Sequence, residues 1–376
     1  MSAQGLKVLV IGGGFSGMTA TIELRKLGAE VDLVEIDPGW RSYGAGITLG
    51  GATLRAFRRI GILDEFLKRG DAADGVDIFT SGGHKIASLP TPRLAGPNVP
   101  GGGAIMRPVL AAILADVTRA SGATVRLGTT FSHIQNATHE VTVKFRDGPA
   151  GAYDLAIGAD GLNSNTRAAI FPDAPAPRYT GQCVWRAVLP RLAEVNGPIM
   201  WLGDKVKVGV NPVSKDEMYM FVTEDRPTND YIEPARFAQL LRAMLAPFGA
   251  PIVRTIYNSL NEDSRIVYRP LEALLLPRPW SKGRVALIGD AAHATTPHLA
   301  SGACIGIEDA IVLAEEIERA DDISSALKTF EDRRWERCRM VVENSLRLGE
   351  IEISNGDQAE HTDIMRRSLM ALAAPI

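Results

Sequence analysis

The stretch that decides the fold is KVLVIGGGFSGMTATIELRKLGAEVDLVEID, residues 7–37. It opens with a continuous apolar run at residues 8–11, which is typical of a strand buried on both faces of a parallel sheet. Gly12, Gly14 and Gly17 follow with the GxGxxG spacing. The first glycine permits a tight turn, the second lets a pyrophosphate approach the backbone, and the third lets a helix pack closely on the strand. The stretch therefore predicts a dinucleotide-binding unit of strand, turn, helix and strand.

A carboxylate closes this unit, because Glu35 ends the second predicted strand. The helix start offers free N–H groups to phosphates, and a carboxylate at this position can accept hydrogen bonds from a ribose diol. The same negative charge would repel a 2′-phosphate. The predicted ligand is therefore an adenosine dinucleotide with a free ribose, either FAD or NAD. The alternative is a glycine-rich turn that binds no nucleotide.

Bulk composition narrows the functional classes. The chain has 376 residues, and its 41 Lys and Arg residues nearly balance 44 Asp and Glu residues, so no net field would attract nucleic acid or an anionic membrane. No stretch approaches the ~20 apolar residues that span a bilayer. Cys183, Cys304 and Cys338 have neither disulfide-framework nor metal-ligand spacing. We expect a cytoplasmic protein without a metal site.

A second strand-to-turn arrangement lies in YDLAIGADGLNSNTRAAIF, residues 153–171. Asp160 and Gly161 follow a buried apolar run, and Arg167 lies in the first turns of the next helix. Ligands of open α/β sheets bind at the carboxyl ends of the strands. We therefore expect these residues at the ligand edge of the sheet.

A third arrangement, RVALIGDAAHATTPHLASGACIGIEDA at residues 284–310, brings the chain back to the same sheet. Asp290 follows its strand, and a long helix begins near Gly302 and Ala303. One pyrophosphate needs one helix start, so a second helix start indicates a larger ligand, and FAD fits. Asp290 can bond ribityl hydroxyls, and the N–H groups near Gly302 can face the flavin edge where charge collects on reduction.

One arginine, Arg107, begins a predicted helix whose dipole end is already positive. A nearby anion would resolve that repulsion, although a solvated surface arginine is the alternative. From Tyr179 onward alternating runs predict a mostly antiparallel sheet.

The predicted fold class is α/β, with a Rossmann-like FAD-binding domain, an antiparallel substrate domain and a long C-terminal helix. The predicted ranges are 1–75, 101–178 and 281–350 for the FAD-binding domain, 76–100 and 179–280 for the substrate domain, and 351–376 for a C-terminal tail.

These motifs together resemble the class A FAD-dependent aromatic hydroxylases, the para-hydroxybenzoate hydroxylase family. The resemblance rests on the glycine loop, the Asp160-Gly161 pair, and Gly289-Asp290 with Pro297. It implies that Glu35 binds the adenosine ribose, Arg107 the FAD, Asp160 both FAD and pyridine nucleotide, and Asp290 the ribityl chain, with Pro297 beside the isoalloxazine ring.

The resemblance also implies a reaction. NAD(P)H visits transiently and reduces bound FAD, O2 adds at flavin C4a, and the hydroperoxide transfers one OH group to a small aromatic or N-heteroaromatic ring. Attack by this oxidant is electrophilic, so the ring should carry an activating O or N substituent. The identity of the substrate, the choice of NADH or NADPH, and a monomer or homodimer state stay open.

Three residues are candidates for contacts with the substrate. Tyr219 could orient or deprotonate a ring substituent, Lys207 could pair with an anionic substrate, and His298 could contact substrate or flavin. The alternatives are a core tyrosine, a solvated strand lysine and a loop histidine. Other chemistry on the same fold, such as halogenation or reduction, and a non-catalytic flavin-binding module remain alternatives for the whole protein.

Overall fold

A computed structural model describes residues 3–376. The strands in this part of the chain are β1 (Lys7–Ile11), β2 (Glu30–Glu35), β3 (Gly46–Gly50), β4 (Asp71–Ala73), β5 (Val76–Thr80), β6 (Lys85–Leu89), β7 (Gly102–Met106), β8 (Thr124–Leu127), β9 (Phe131–Asn136), β10 (Val141–Phe145), β11 (Gly151–Tyr153), β12 (Leu155–Gly158), β13 (Arg178–Pro190), β14 (Ile199–Leu202), β15 (Val206–Pro212), β16 (Glu217–Asp225), β17 (Ile266–Ala273), β18 (Ser281–Lys282) and β19 (Val285–Leu287). The α-helices are α1 (Phe15–Lys26), α2 (Gly51–Ile60), α3 (Leu63–Arg69), α4 (Arg107–Ala120), α5 (Asn165–Ile170), α6 (Phe237–Leu245), α7 (Pro251–Ser259), α8 (Asp290–His293), α9 (Gly302–Arg319), α10 (Ile323–Ser354) and α11 (Gln358–Ala373).

A six-stranded sheet in the order β18-β19-β12-β1-β2-β8 forms the first layer, and all its pairs except β18 with β19 are parallel. Its central strands are apolar because helices cover both faces, and Val8, Leu9 and Leu155 have no exposed surface. The carboxyl ends of β1, β2, β12 and β19 meet at one edge. The predicted α/β fold class is confirmed.

The glycine loop is shaped by contacts that exclude side chains. Gly12 has a φ of +107°, and a Cβ on it would lie 2.4 Å from the carbonyl oxygen of Ala159. A Cβ on Gly17 would lie 2.0 Å from the carbonyl oxygen of Gly12. These approaches hold α1 against the ends of β1 and β12, as the spacing predicts.

A seven-stranded sheet in the order β17-β13-β16-β15-β14-β5-β6 forms the second layer. One face buries Trp185, Met220 and Trp201 in a cluster with residues of α6 and α7. Strand alternation places Val188 and Tyr219 on the opposite face, where they pack with Ala45, which precedes β3, and with Ala104 and Met106 of β7. This opposite face is called the inner face below.

Strands β13 to β17 of the second sheet lie in the part of the chain, from Tyr179 onward, where alternating runs predict an antiparallel sheet. The domain boundaries themselves stay a prediction. The segment 351–376, predicted as a tail, has regular structure. Helix α10 runs on to Ser354, and α11 packs against it. No helix in residues 3–376 is both long and apolar enough to cross a membrane.

A buried carboxylate joins α9 to the end of β19. Asp309 accepts hydrogen bonds from the backbone N–H of Gly289 at 2.9 Å, from Nε2 of His293 at 2.6 Å and from Nε of Arg334 at 2.9 Å. Arg334 also bonds Glu308 at 3.0 Å. All four side chains are at most 1% exposed. The ionic groups are therefore paired, as burial requires.

The surroundings of His293 and Asp309 favour the charged forms of both side chains. Although burial opposes the charged form, Asp309 raises the pKa of His293 well above its usual value. Burial likewise opposes ionisation of Asp309, but His293 and Arg334 hold the pKa of this carboxyl far below its usual range. A histidine whose pKa is raised on folding stabilises the folded state fully at a pH below its pKa in the unfolded chain, which is about 6.5. This stabilisation is lost as the pH rises through the pKa that the histidine has in the folded protein.

His293→Gln should therefore lower the free energy of unfolding by about 1–3 kcal/mol near pH 6 and by less near pH 9. Urea denaturation of protein with matched FAD occupancy measures both values. The control is His133→Gln, since His133 is exposed on β9. An equal loss at the two pH values would contradict a charged His293.

Candidate active site

The ligand edge of the six-stranded sheet is accessible, although the protein surrounds it. Gly14 and Asp290 are exposed, and Glu35 and Arg107 are half-buried. Gly14 follows β1 and Asp290 follows β19, while Glu35 ends β2 and Arg107 begins α4. Accessible polar groups among buried strands define a recess of the kind that holds a ligand.

The glycine loop leaves room for a phosphate. A Cβ on Gly14 would meet no atom within 4 Å, in contrast to Gly12 and Gly17. Gly14 is also the N-cap of α1, and no side chain caps this helix. The first N–H groups of the helix therefore point into open space, where they can bind an anion.

The Glu35 carboxylate is held at the end of β2 by backbone donors. Its oxygens accept hydrogen bonds from the N–H groups of Gly13 at 2.7 Å and Asp37 at 2.8 Å. Each carboxylate oxygen has a second lone pair. Glu35 can therefore still accept the two hydroxyl groups of a ribose, which is the role that the sequence predicts for it.

Arg107 begins α4 and projects into the recess. Its guanidinium has no hydrogen-bond or ion-pair partner within the described chain. Burial lowers the pKa of Arg107, and Asp290 only partly offsets that effect. An uncompensated cation at a positive helix end requires an anion, and the FAD pyrophosphate is the anion that the sequence predicts.

Asp290 begins α8 directly after the turn that Asp309 holds. Its carboxylate has no hydrogen-bond partner in residues 3–376. Burial raises the pKa of Asp290, while His293 and Arg107 oppose this rise. The side chain is nevertheless exposed. An unpartnered carboxylate facing a recess fits the hydroxyl groups of a ribityl chain.

The second helix start completes the recess. Gly302 and Ala303 are half-buried at the start of α9, and no side chain caps this helix. Pro297 is exposed in the turn that leads to it. The free N–H groups can therefore face an electron-rich ring edge.

Two predicted cofactor residues are engaged by the protein itself. Asp160 accepts hydrogen bonds from the hydroxyl of Ser164 and from the N–H and hydroxyl of Thr166, so it caps α5. Arg167 donates to the carbonyl oxygens of Ala291 and Leu162. It therefore fastens the Asp160 turn to α8. A carboxylate beside a helix start satisfies the free N–H groups before any ligand does. The predicted contacts of Asp160, Gly161 and Arg167 with cofactors stay predictions.

The candidate substrate residues lie in different surroundings. Tyr219 is buried on the inner face, its hydroxyl is hydrogen-bonded to the hydroxyl of Thr48, and its ring packs on Gly46. Burial raises the pKa of Tyr219 and so favours its neutral hydroxyl, and its contact with a substrate stays a prediction. Lys207 is paired with Glu352 at 2.7 Å, and its contact with an anionic substrate stays a prediction.

The third candidate, His298, has a side chain that is only 4% exposed. It hydrogen-bonds Thr296 at 2.8 Å and Gln182 at 3.1 Å. Its ring therefore faces the sheet and α10 rather than open solvent.

Two arginines of the inner face were missed in the sequence. Arg186 on β13 and Arg269 on β17 have no hydrogen-bond or ion-pair partner among the described residues. Burial lowers the pKa of Arg186 to about 10, and repulsion from Arg107 and Arg269 contributes to this shift. The sequence did contain a signal for Arg186, because it lies between Val184 and Val188 on the same face of a predicted strand.

The residues present therefore fit FAD. The open glycine loop and the unpaired Arg107 suit its phosphates. The unpaired Asp290 suits the ribityl chain, and the uncapped start of α9 suits the ring. The inner face of the second sheet, with Arg186 and Tyr219, bounds the ring end.

Comparison with known proteins agrees with this geometry. A family model described as "FAD binding domain" matches residues 5–345. The chain is 30% identical over 354 residues to the aurachin C monooxygenase/isomerase of Stigmatella aurantiaca, covering 92% of this chain and 90% of that protein. It is 32% identical over 358 residues to the 2-heptyl-3-hydroxy-4(1H)-quinolone synthase of Pseudomonas aeruginosa PAO1, covering 92% and 89%.

A solved structure shares the fold. Klebsiella pneumoniae HpxO complexed with FAD and uric acid superposes with a TM-score of 0.82 and 24% identity, covering 98% of this chain and 92% of that one.

The two glycines of the loop should separate folding from cofactor binding. Gly14→Ala should change the apoprotein stability by less than about 0.5 kcal/mol, because its Cβ meets no protein atom. It should weaken FAD binding about tenfold or more, because the methyl group occupies the phosphate cradle.

The matched variant Gly17→Ala should lower the apoprotein stability by about 1–3 kcal/mol through overpacking against Gly12. Thermal unfolding of apoprotein and titration of flavin fluorescence measure the two effects. Unchanged FAD affinity in Gly14→Ala would argue against a phosphate at this loop.

Proposed function

The chain belongs to the FAD binding domain family and is a class A FAD-dependent aromatic hydroxylase, a flavin oxidoreductase; on that premise, we propose that it hydroxylates a small activated aromatic or N-heteroaromatic compound. NAD(P)H supplies two electrons and O2 supplies the oxygen, one atom of which enters the ring while the other leaves as water. Bound FAD, held by the glycine loop, Arg107 and Asp290, would supply the redox chemistry that activates O2 for transfer to the ring.

One observation carries this proposal: His298, next to Pro297, hydrogen-bonds Gln182 of β13, whose inner face also carries Arg186. The phosphate end lies at Gly14 and Arg107, and the ring end lies at Pro297 and the start of α9. The inner face of the second sheet bounds the ring end. A ring held there would lie between the cofactor and β-strand side chains that exclude water.

The residues of the chain have distinct roles in this proposal. Glu35 binds the adenosine ribose, Asp290 binds ribityl hydroxyls, and the α9 start stabilises negative charge at the flavin ring. Asp160 and Arg167 act as positioning residues, because they join α5 to α8.

The substrate carries an acidic group. Arg186 is half-buried on the inner face without a counter-ion, Arg269 is exposed on the same face, and the side chain of Tyr219 lies there as well. A carboxylate, or a ring O–H or N–H that ionises, would supply the missing negative charge. Uric acid, which is bound to the superposed HpxO, is a ring of this type.

The remaining expectations belong to the same proposal. The names of both relatives describe oxidative or synthetic steps on aurachin and quinolone compounds, which favours hydroxylation over halogenation. A monomer or homodimer and a cytoplasmic location stay predictions.

Anaerobic mixing of the FAD-loaded protein with NADH or NADPH tests the function. Bleaching of the oxidised flavin absorbance should be faster when a panel of aromatic acids, pyridinols and purines contains a substrate. Mixing with O2 should then yield hydroxylated product by mass spectrometry. Reduction by neither nucleotide, with or without the panel, would contradict the proposal.

Arg186→Gln should weaken binding of salicylate about 10- to 100-fold, because a charge-assisted hydrogen bond is lost. Binding of salicylamide, which lacks the carboxylate, should change little. Perturbation of the flavin spectrum measures both affinities, and Arg265→Gln is the control because Arg265 is 65% exposed and paired with Glu217. Equal losses for the acid and the amide would exclude Arg186 as the anion-binding group.

A further inference from the structure

One asparagine on the inner face has no hydrogen-bond partner for its side chain in residues 3–376. Asn211 belongs to β15, where Val208 and Val210 pack on the opposite side of the sheet with residues of α6 and α7. Because side chains alternate along a strand, Asn211 lies on the inner face, and its ladder partner on β16 is Tyr219. The function proposed above gives Asn211 no role.

The amide of Asn211 is almost enclosed by the protein. The residue is only 3% exposed. Within the described chain, the fully enclosed side-chain atoms that lack a partner belong to Thr129, Tyr268, His293 and Ser345. Asn211 is not one of these residues, so its amide oxygen and its amide nitrogen both keep a small accessible surface. The amide therefore faces a narrow space rather than tightly packed atoms.

The surroundings of this space do not satisfy the amide. The hydroxyl of Tyr219 is hydrogen-bonded to Thr48 of β3. Tyr219 also packs with Ala104 and Met106 of β7, so apolar side chains cover this part of the inner face. A buried amide without a partner costs free energy, and such a group in a native protein calls for an explanation. A ligand that reaches the space would supply the missing hydrogen bonds.

Asn211 and Arg186 are placed so that one planar ligand can reach both. Arg186 pairs with Phe221 on β16, and Asn211 pairs with Tyr219 two positions earlier on that strand. Two strand spacings and two residues separate them, which is about 12 Å between Cα atoms. The half-buried ring of Phe221 lies between them over Gly209, where a Cβ would collide with it. An aromatic surface between a cation and an amide suits a flat ring with an acidic group at one end.

We propose that Asn211 determines the specificity of the site, and that it selects an N-heteroaromatic ring in which an N–H stands next to a carbonyl group, as in a pyridone. This inference rests on the proposed function and narrows its substrate class. The amide oxygen of Asn211 accepts a hydrogen bond from the ring N–H, and the amide NH2 donates one to the ring oxygen. Both bonds form together only with a ring that offers a donor and an acceptor side by side.

Other polar groups satisfy the amide of Asn211 less completely. A carboxylate only accepts hydrogen bonds, so it leaves the amide oxygen unpaired. The single hydroxyl of a carbocyclic phenol has one hydrogen to donate and engages the two amide atoms poorly. A site that hydrogen-bonds a ring N–H rejects an analogue without it, because its own buried group is then left unpaired. The amide therefore discriminates between rings of equal size.

Binding of two matched ligands to the FAD-loaded protein tests the proposal. 6-Hydroxynicotinate in its pyridone form carries the N–H beside the carbonyl group, and 4-hydroxybenzoate has the same outline and carboxylate without that N–H. Perturbation of the flavin spectrum should show about 10- to 100-fold tighter binding of 6-hydroxynicotinate to the wild-type protein. In Asn211→Leu, which keeps the branching but removes the amide, the two affinities should agree within about threefold.

A second pair of ligands and a control variant complete the binding test. 2-Quinolone and 2-naphthol repeat the comparison for a bicyclic ring without a carboxylate. Asn258→Leu, at an exposed position of α7, should keep the wild-type ratios. Equal affinities within both pairs in the wild-type protein, unchanged ratios in Asn211→Leu, or failure of both heteroaromatic ligands to bind overturns the proposal.

Thermal unfolding of the apoprotein separates this role from a structural one. Removal of an unpartnered buried amide should leave the melting temperature unchanged or raise it by up to about 3 °C. Asn211→Ala accompanies Asn211→Leu, since the larger side chain can overpack the space. A lower melting temperature in both variants would mean that the fold uses the amide, and it overturns the proposal.

These outcomes are distinct from a failure of the proposed function. The binding and unfolding measurements need neither NAD(P)H nor turnover. If they go against Asn211 while another aromatic compound accelerates flavin reduction, the proposed function stands and the specificity assigned to Asn211 is wrong. Failure of flavin reduction with every compound would instead count against the proposed function.

Discussion

The position of one buried carboxylate, Asp309, controls the geometry of the active site. Its two oxygens hold the backbone of Gly289, the ring of His293 and the guanidinium of Arg334, so α9 and α10 are tied to the end of β19. The turn that it fixes presents Asp290 to the recess, and the helix on which it lies begins at Gly302. Two predicted cofactor contacts therefore depend on one ion-pair network, and burial makes that network intolerant of a missing partner.

The second organising feature is uncompensated positive charge. Arg107, Arg186 and Arg269 approach one another around the recess without a carboxylate in hydrogen-bonding contact. A fold accepts such repulsion where bound anions relieve it, and burial lowers the pKa of Arg107 and of Arg186, which is typical of a functional site. The phosphate groups of FAD are the anion predicted for Arg107, and the acidic substrate proposed above would place negative charge beside Arg186.

The sequence indicated several site residues but not their partners within the protein. Asp160 hydrogen-bonds Ser164 and Thr166 at the start of α5, whereas Asp290 has no hydrogen-bond partner among residues 3–376. Arg167 donates to two carbonyl oxygens and Lys207 is paired with Glu352, while their predicted contacts with the cofactor and with an anionic substrate stay predictions. The bonds from Arg167 to Ala291 and from Lys207 to Glu352 join residues more than a hundred positions apart, which no local spacing reveals.

The sequence by itself determined the glycine loop, the parallel sheet, the three segments that reach one edge, and the identity of the cofactor. These follow from periodicity, from the steric needs of glycine and from the chemistry of helix starts, all of which act over a few residues. Only the tertiary structure decided which charged side chains are paired and which are orphaned. This pairing of charges depends on packing between elements far apart in the chain, such as β15 and α10, which are joined by Lys207 and Glu352. It distinguishes charged residues that maintain the fold from charged residues that have no partner within the protein.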